Sequence, residues 1–169
     1  KQSERHLSEQ EERFRRLAEN APDLLYRMSL PEGRYEYISP SSLMFTGYPP
    51  EEFYKKPGLL YDLIHPSGKD AFGRQLELLI KGKPAPAAEF QIVGRNGDTR
   101  WGFFRTTLVR DAAGHPVAVE GIVTDITDRK KEQIALEETK ELYRMIVQSA
   151  ATGIVLVDAE TRVIADANP

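Results

Sequence analysis

There is no cysteine in this chain. That excludes disulfide frameworks, thiolate metal sites, cysteine nucleophiles and any photochemistry that runs through a cysteinyl adduct. Histidine is scarce, with only His6, His65 and His115, a thin supply for a metal centre. Neither charge sign dominates: 23 Lys and Arg stand against 26 Asp and Glu, a formal net charge of −3 over 169 residues. A dedicated nucleic-acid binder would show a strong basic excess, so nucleic acid is not an expected partner. No apolar run reaches the roughly 18–20 residues of a membrane span, and no basic-then-apolar signal segment opens the chain. The carboxylate pairs Glu11-Glu12, Glu51-Glu52 and Glu137-Glu138 fall in helical, solvated contexts. No nucleophile–base–acid constellation, Walker-type loop or metal-ligand spacing accompanies them, so no catalytic residue is expected. Residue 1 is Lys and the chain stops inside a strand-like run, which reads as a soluble piece of a longer protein; a cytoplasmic location is expected for it, whether or not the parent is membrane-associated.

What is there alternates between charged helix and strand texture. Residues 1–20 hold no Gly or Pro, and Leu7, Phe14, Leu17 and Ala21 share one helical seam, weakened by Gln10. This is a linker helix, suited either to packing on its own domain or to pairing with a second chain. Pro22 ends it. Leu24–Leu30 and Arg34–Ile38, joined by Pro31-Glu32-Gly33, read as a β-hairpin. Between Pro40 and Leu63 the breakers Gly47, Pro49-Pro50 and Pro57-Gly58 leave room only for short helical turns. In Lys69–Lys81, Phe72, Leu76, Leu79 and Ile80 mark one face of an amphipathic helix, closed by Gly82. Ala88–Val93, Arg100–Val109 and Val117–Thr124 read as three consecutive antiparallel strands. Asn96-Gly97 turns the first pair, with positive φ expected at both residues. Together these pieces predict an α+β domain.

Arg129–Ser149 is again charged helix without Gly or Pro, with an imperfect seam at Leu136, Tyr143, Ala150, Thr139 and Ile146. The opening succession then returns. Glu12 to Leu17 is echoed by Glu141 to Ile146, Asn20-Ala21-Pro22 by Ser149-Ala150-Ala151, and two strand-like runs follow each time, ending at Ser39-Pro40 and Asn168-Pro169. The expected organisation is a linker helix over 1–20, a complete domain over 21–128, a connecting helix over 129–149 and the opening of a second unit over 150–169.

An ordered set of short motifs carries a family resemblance. These are Tyr37-Ile38-Ser39-Pro40-Ser41, Thr46-Gly47-Tyr48 with Pro50-Glu51-Glu52, Leu63-Ile64-His65-Pro66, Arg95-Asn96-Gly97 with Arg100-Trp101, and Gly121 to Thr127. Over about residues 20–128 the chain resembles a PAS domain of the bacterial sensor-protein subtype. The resemblance implies a five-stranded antiparallel sheet with short helices on one face, flanked by N- and C-terminal amphipathic helices. It implies a ligand cavity between sheet and helices, and an outer sheet face that packs on flanking helices or a second protomer. It implies a sensory or dimerising module that feeds a histidine kinase, a diguanylate cyclase or a similar effector domain in the same chain.

Carried onto the strands, the resemblance turns Gly102, Phe104, Thr106 and Val123 inward and Trp101, Phe103, Ile122 and Thr124 outward. An outer face bearing Trp101, Phe103 and Ile122 is too apolar for water and calls for a cover, with Leu7, Phe14 and Leu17 the helical candidates. The expected cavity wall is Tyr26, Met28, Phe45, Phe72, Leu76, Phe90, Ile92, Phe104, Thr106 and Val123. Such a wall suits a small-molecule ligand, and equally these side chains fill the space themselves. No cofactor is required. Haem is disfavoured, because the long helix lacks an axial histidine; non-covalent flavin stays open. His65 reads as a turn or cap residue. Asp125, Ile126 and Thr127 are the expected signal-transfer residues: Asp125 pairing with Arg100, Ile126 anchoring in the core, and Thr127 or Asp128 capping the outgoing helix.

Overall fold

The computed structural model describes residue 12, residues 16–149, residue 153 and residues 155–167. The chain divides into two units, 1–127 and 128–169. In the first, β1 (Leu24–Ser29) and β2 (Tyr35–Ile38) form a hairpin. Three short helices follow, α1 (Ser41–Thr46), α2 (Pro50–Lys55) and α3 (Leu59–Leu63), then a 3-10 turn at Pro66–Gly68 and the longer α4 (Lys69–Ile80). The unit closes with β3 (Ala88–Val93), β4 (Thr99–Arg110) and β5 (Pro116–Asp125). The five strands lie antiparallel in the order β2-β1-β5-β4-β3.

Local chemistry places the breaks. Gly47 ends α1 in the left-handed region at φ 79°, and Pro50 opens α2 in the first-turn position that needs no N–H. At the β3–β4 turn only Gly97 has positive φ, at 82°. Asn96 does not, so of the two residues expected there only the glycine takes it. The Gly97 N–H reaches the Gly94 carbonyl at 2.9 Å and the Gly94 N–H reaches the Asp98 carbonyl at 2.8 Å, so the loop closes on one left-handed glycine.

One face of the sheet is buried under the helices. Leu24, Tyr26 and Met28 of β1, Val119 and Val123 of β5, Phe104 of β4 and Phe90 and Ile92 of β3 point into it. Phe72 of α4 meets Phe90 and Phe104 edge to face, with centroids 5.1 and 5.7 Å away, and those two lie 5.5 Å apart. Ile80 departs from the predicted apolar face. It is 49% exposed, because 100° per residue carries it to the rim of the stripe set by Phe72 and Leu79. Two glycines make space for rings. A Cβ on Gly121 would lie 2.1 Å from the Tyr26 ring, and one on Gly102 would lie 2.9 Å from Phe45.

α5 runs from Thr127, the last residue of the first unit, to Ser149; in the second unit β6 (Val155–Val157) pairs antiparallel with β7 (Ile164–Ala167). Leu136, Tyr143 and Ile146 of the α5 seam are exposed. Leu7, Gln10 and Phe14 of the first seam, Ala150 of the second, and Ala151, Asn168 and Pro169 of the repeat lie outside the described residues.

Gly121→Ala is expected to destabilise the domain by about 1–3 kcal/mol, since the methyl must displace the Tyr26 ring or the strand beneath it. A thermal melt checks this, and in a Tyr26→Ala background the same glycine change should cost less, since the ring it strikes is gone.

Candidate functional site

The ten expected cavity residues divide into two groups. Phe45, Phe90, Ile92, Phe104 and Val123 are buried in close-packed core around the Phe72–Phe90–Phe104 cluster, and Thr106 is half-buried opposite Gly121. Tyr26, Met28, Phe72 and Leu76 instead line a cleft of about 260 Å³ beside the β1–β2 turn. Residues that sequence reasoning left out complete it: Glu32 and Gly33 of the turn, Tyr35 of β2, Pro57 to Tyr61 around α3, and Ile80. The cleft is therefore displaced from the middle of the sheet toward its hairpin end.

Tyr26 and Tyr35 stand edge to face with centroids 5.8 Å apart, and Tyr35 meets the fully buried Phe53 at 5.7 Å. Burial pushes both phenols well above the ordinary range, Tyr35 being raised further by its neighbour Tyr26. The Tyr26 ring lies across β5, where a Cβ on Gly121 would come within 2.5 Å of its hydroxyl. A bulge between Arg27 and Met28 sets Tyr35 opposite Met28, a register shift that alternation within β2 does not reveal.

The outer sheet face carries more charge than expected. Trp101 and Phe103 are half-buried, and Ile122 is 37% exposed. Across β2, β1 and β5, Arg27 bridges Glu36 at 2.7 Å and Glu120 at 2.6 Å, and the two carboxylates raise the guanidinium pKa. The Arg105 guanidinium lies 5.8 Å from the Phe103 ring centre. β4 and β5 thus supply both the apolar side chains Trp101, Phe103 and Ile122 and the charges Arg105 and Glu120, to which β1 and β2 add Arg27 and Glu36. Leu17 is 66% exposed, and Leu7 and Phe14 lie outside the described residues.

At the far end of the sheet the chain's entry and exit lie side by side. The Thr124 hydroxyl donates to Asp23 Oδ2 at 3.0 Å, one step beyond the Leu24–Val123 pair. The Ile126 N–H donates to the Trp101 carbonyl at 2.9 Å, and the Trp101 N–H donates to Thr127 Oγ1 at 3.0 Å. The threonine hydroxyl thus extends the β4–β5 ladder by one bond. Arg100 donates to Asp125 Oδ2 at 3.1 Å, and Asp125 Oδ1 accepts both the Thr127 N–H, at 2.9 Å, and the Thr127 hydroxyl. Ile126 is buried. The cap therefore differs from the expectation. Asp125 takes the first helical N–H, because the Thr127 oxygen is turned to the sheet.

His65 caps the 3-10 turn, its Nδ1 accepting from the Ser67 N–H at 3.3 Å. Among the described residues no group of three or more His, Asp or Glu is placed to hold a metal ion, and no helix is long and apolar enough to cross a membrane.

Two outcomes follow for this geometry. Thr127→Val keeps the branched shape and removes the acceptor; it should cost about 1 kcal/mol and speed exchange of the Trp101 amide about fivefold, whereas Thr127→Ser should not. Amide exchange of the three chains checks this. Above about pH 10 the unfolded chain ionises phenols that burial of Tyr26 and Tyr35 keeps protonated in the fold. Stability should therefore fall as pH rises past that value, and the Tyr26→Phe/Tyr35→Phe chain should lose less. Denaturant melts at pH 8 and 11 measure the difference.

A family model described as PAS fold matches residues 35–123. The two-component sensor PprA of Pseudomonas aeruginosa is 26% identical over 151 residues, which cover 88% of this chain and 16% of that protein. The probable diguanylate cyclase DgcE of Escherichia coli K12 is 26% identical over 152 residues, covering 89% of this chain and 13% of that protein. The chain thus spans less than a fifth of the length of either relative. Among solved structures, a sensory box histidine kinase/response regulator from Burkholderia thailandensis superimposes with a TM-score of 0.60 at 26% identity, covering 79% of this chain and 98% of that one. The family match spans more than half of the 169 residues, and the chain belongs to the PAS fold family.

Proposed function

We propose that the chain is the sensory and dimerisation module of a cytoplasmic signal-transduction protein of the bacterial type, whose effector is a histidine kinase or a diguanylate cyclase. It carries no catalysis of its own and passes an input to the output through helical linkers. On this reading residues 1–20 are the incoming linker, 21–128 the PAS domain, 129–149 the connecting helix and 150–169 the opening of a second PAS unit. The carrying observation is the Trp101 clamp. The sheet is bonded at both backbone atoms of Trp101 to the last residue before α5 and the first residue within it. A displacement of β4 or β5 then cannot leave the start of the helix where it was. The exposed Leu136, Tyr143 and Ile146 stripe supports pairing of α5 with that of a second copy.

A second reading is a constitutive scaffold that binds nothing and relays geometry from elsewhere. The filled aromatic cluster of Phe72, Phe90 and Phe104 favours it. Output regulation in the full-length parent separates the two claims made above from their alternatives. Asp125→Ala and Thr127→Val should each leave a folded domain whose effector no longer follows its input. Unchanged regulation would remove the transmission role. In sedimentation the chain should be a dimer that Tyr143→Glu with Ile146→Glu converts to monomer; a monomer at every concentration would remove the pairing role.

A further inference from the structure

The segment that leads into the sheet is bonded to it at Asp23. Residues 16–19 are helical, and the Asn20 side chain closes that turn, its Nδ2 donating to the Arg16 carbonyl at 2.7 Å. Ala18 is 2% exposed, so the end of this helix is packed. Between the helix and Asp23 stand Asn20, Ala21 and Pro22, and the proline fixes its own φ. Asp23 is then held at two points. Its carbonyl accepts from the hydroxyl of Ser41, the first residue of α1, at 2.8 Å. Its Oδ2 accepts from the Thr124 hydroxyl at 3.0 Å, 101 positions further along the chain. A carboxylate accepts such a bond more strongly than a neutral oxygen does. Serines support the first point. Ser41 gives its proton to Asp23, so Ser39 is the donor in the 2.6 Å contact between the two hydroxyls, and Ser39 Oγ accepts from the Leu25 N–H at 2.8 Å. Each hydroxyl accepts once and donates once, a chain polarised in one direction. Next after Thr124 comes Asp125, whose carboxylate takes the first N–H of α5.

Resting on the sensory reading above, we propose that Asp23 is a positioning residue that couples the incoming helix to α5 directly, so that movement of this helix is itself an input to the domain. The route runs from Asp23 through Thr124 to Asp125 and Thr127, and it passes no side chain of the aromatic core. The serine chain holds the Asp23 backbone to β1 and α1, which leaves the carboxylate free to pull on β5.

The test is a mutant cycle read by amide exchange of this chain. Ala18→Leu supplies the movement, because a larger side chain at a buried position displaces the turn that carries it. Faster exchange of Asn20 and Ala21, whose amides bond back into that turn, reports the displacement, and Ala18→Phe is used where Leu is absorbed. Ile126 and Thr127 should then exchange about fivefold faster. In a Thr124→Val chain, which keeps the branched shape and loses the donor, the same change should move them by about twofold or less. Thr124→Ser should restore the full response. Asp23→Ala should act as Thr124→Val does, and Asp23→Asn, whose amide oxygen still accepts, as Thr124→Ser does. A bond that only stabilises the fold would add its own cost and leave the response equal in every background. The proposal is overturned by that equality, by loss of the response in Thr124→Ser, or by silence at Ile126 and Thr127 when Asn20 and Ala21 quicken. The cycle needs no effector, so its failure leaves the regulation and sedimentation outcomes of the sensory reading intact. Unchanged regulation in the Asp125→Ala and Thr127→Val parents would remove that reading and leave the cycle as measured.

Discussion

The pairing of β1 with β5 is the contact on which the rest of the domain depends. It joins residues as far apart as Leu24 and Val123, 99 positions along the chain, through six consecutive pairs that end at Ser29–Ala118. Without it the chain would hold a two-strand hairpin and a three-strand meander, each with an open edge, and an isolated hairpin is marginal in water. Closing so long a loop costs entropy before any contact repays it. The repayment comes on both faces: Tyr26 lies over Gly121 inside, and Arg27 reaches Glu120 outside.

That one register also brings the functional features together. Asp23 comes to lie beside Thr124, so the incoming segment and the outgoing helix start at the same end of the sheet. At the other end, Met28 and the turn after β1 form the cleft with α3 and α4. The two ends of β1 therefore serve different purposes, and β5 runs beside it along its whole length.

Local pattern carried the elements and stopped short of their assembly. Phe72, Leu76 and Leu79 mark α4, and the breakers at Gly47, Pro50 and Pro57-Gly58 mark the short helices, because capping and periodicity act within a few residues. The paired faces of β4 and β5 were legible from alternation once the residue after Trp101 was taken as inward, a step that the family resemblance supplied. The Arg27–Glu36–Glu120 triad was not legible, since it spans three strands and its geometry depends on a bulge after Arg27. Nor was the place of the cleft. It is set by two absent side chains, at Gly121 and Gly102, which let Tyr26 and Phe45 lie down on the sheet and fill its middle. A glycine in a strand is visible in sequence; the ring that occupies its space is not. Thr127 or Asp128 was the expected cap and Asp125 the expected partner of Arg100; that Asp125 also takes the helix N–H follows from the Trp101 N–H engaging the Thr127 hydroxyl, a contact between β4 and α5 that local pattern does not show.

These packing details give the proposed transmission a mechanical form. The Tyr26 ring rests on the backbone of β5 at Gly121, with no side chain between them to yield. A shift of that ring is felt as a shift of the strand. From Gly121 to Asp125 the strand runs about 13 Å of extended backbone, paired with β1 as far as Val123 and with β4 throughout. Its end cannot move alone, because Ile126 and Thr127 are bonded to Trp101 and Asp125 is bonded to Arg100 of the same strand. In the proposed transmission, a displacement of β5 would reach Ile126 and Thr127 through the same bonds to Trp101, and Asp125 through Arg100, so the route needs no moving loop.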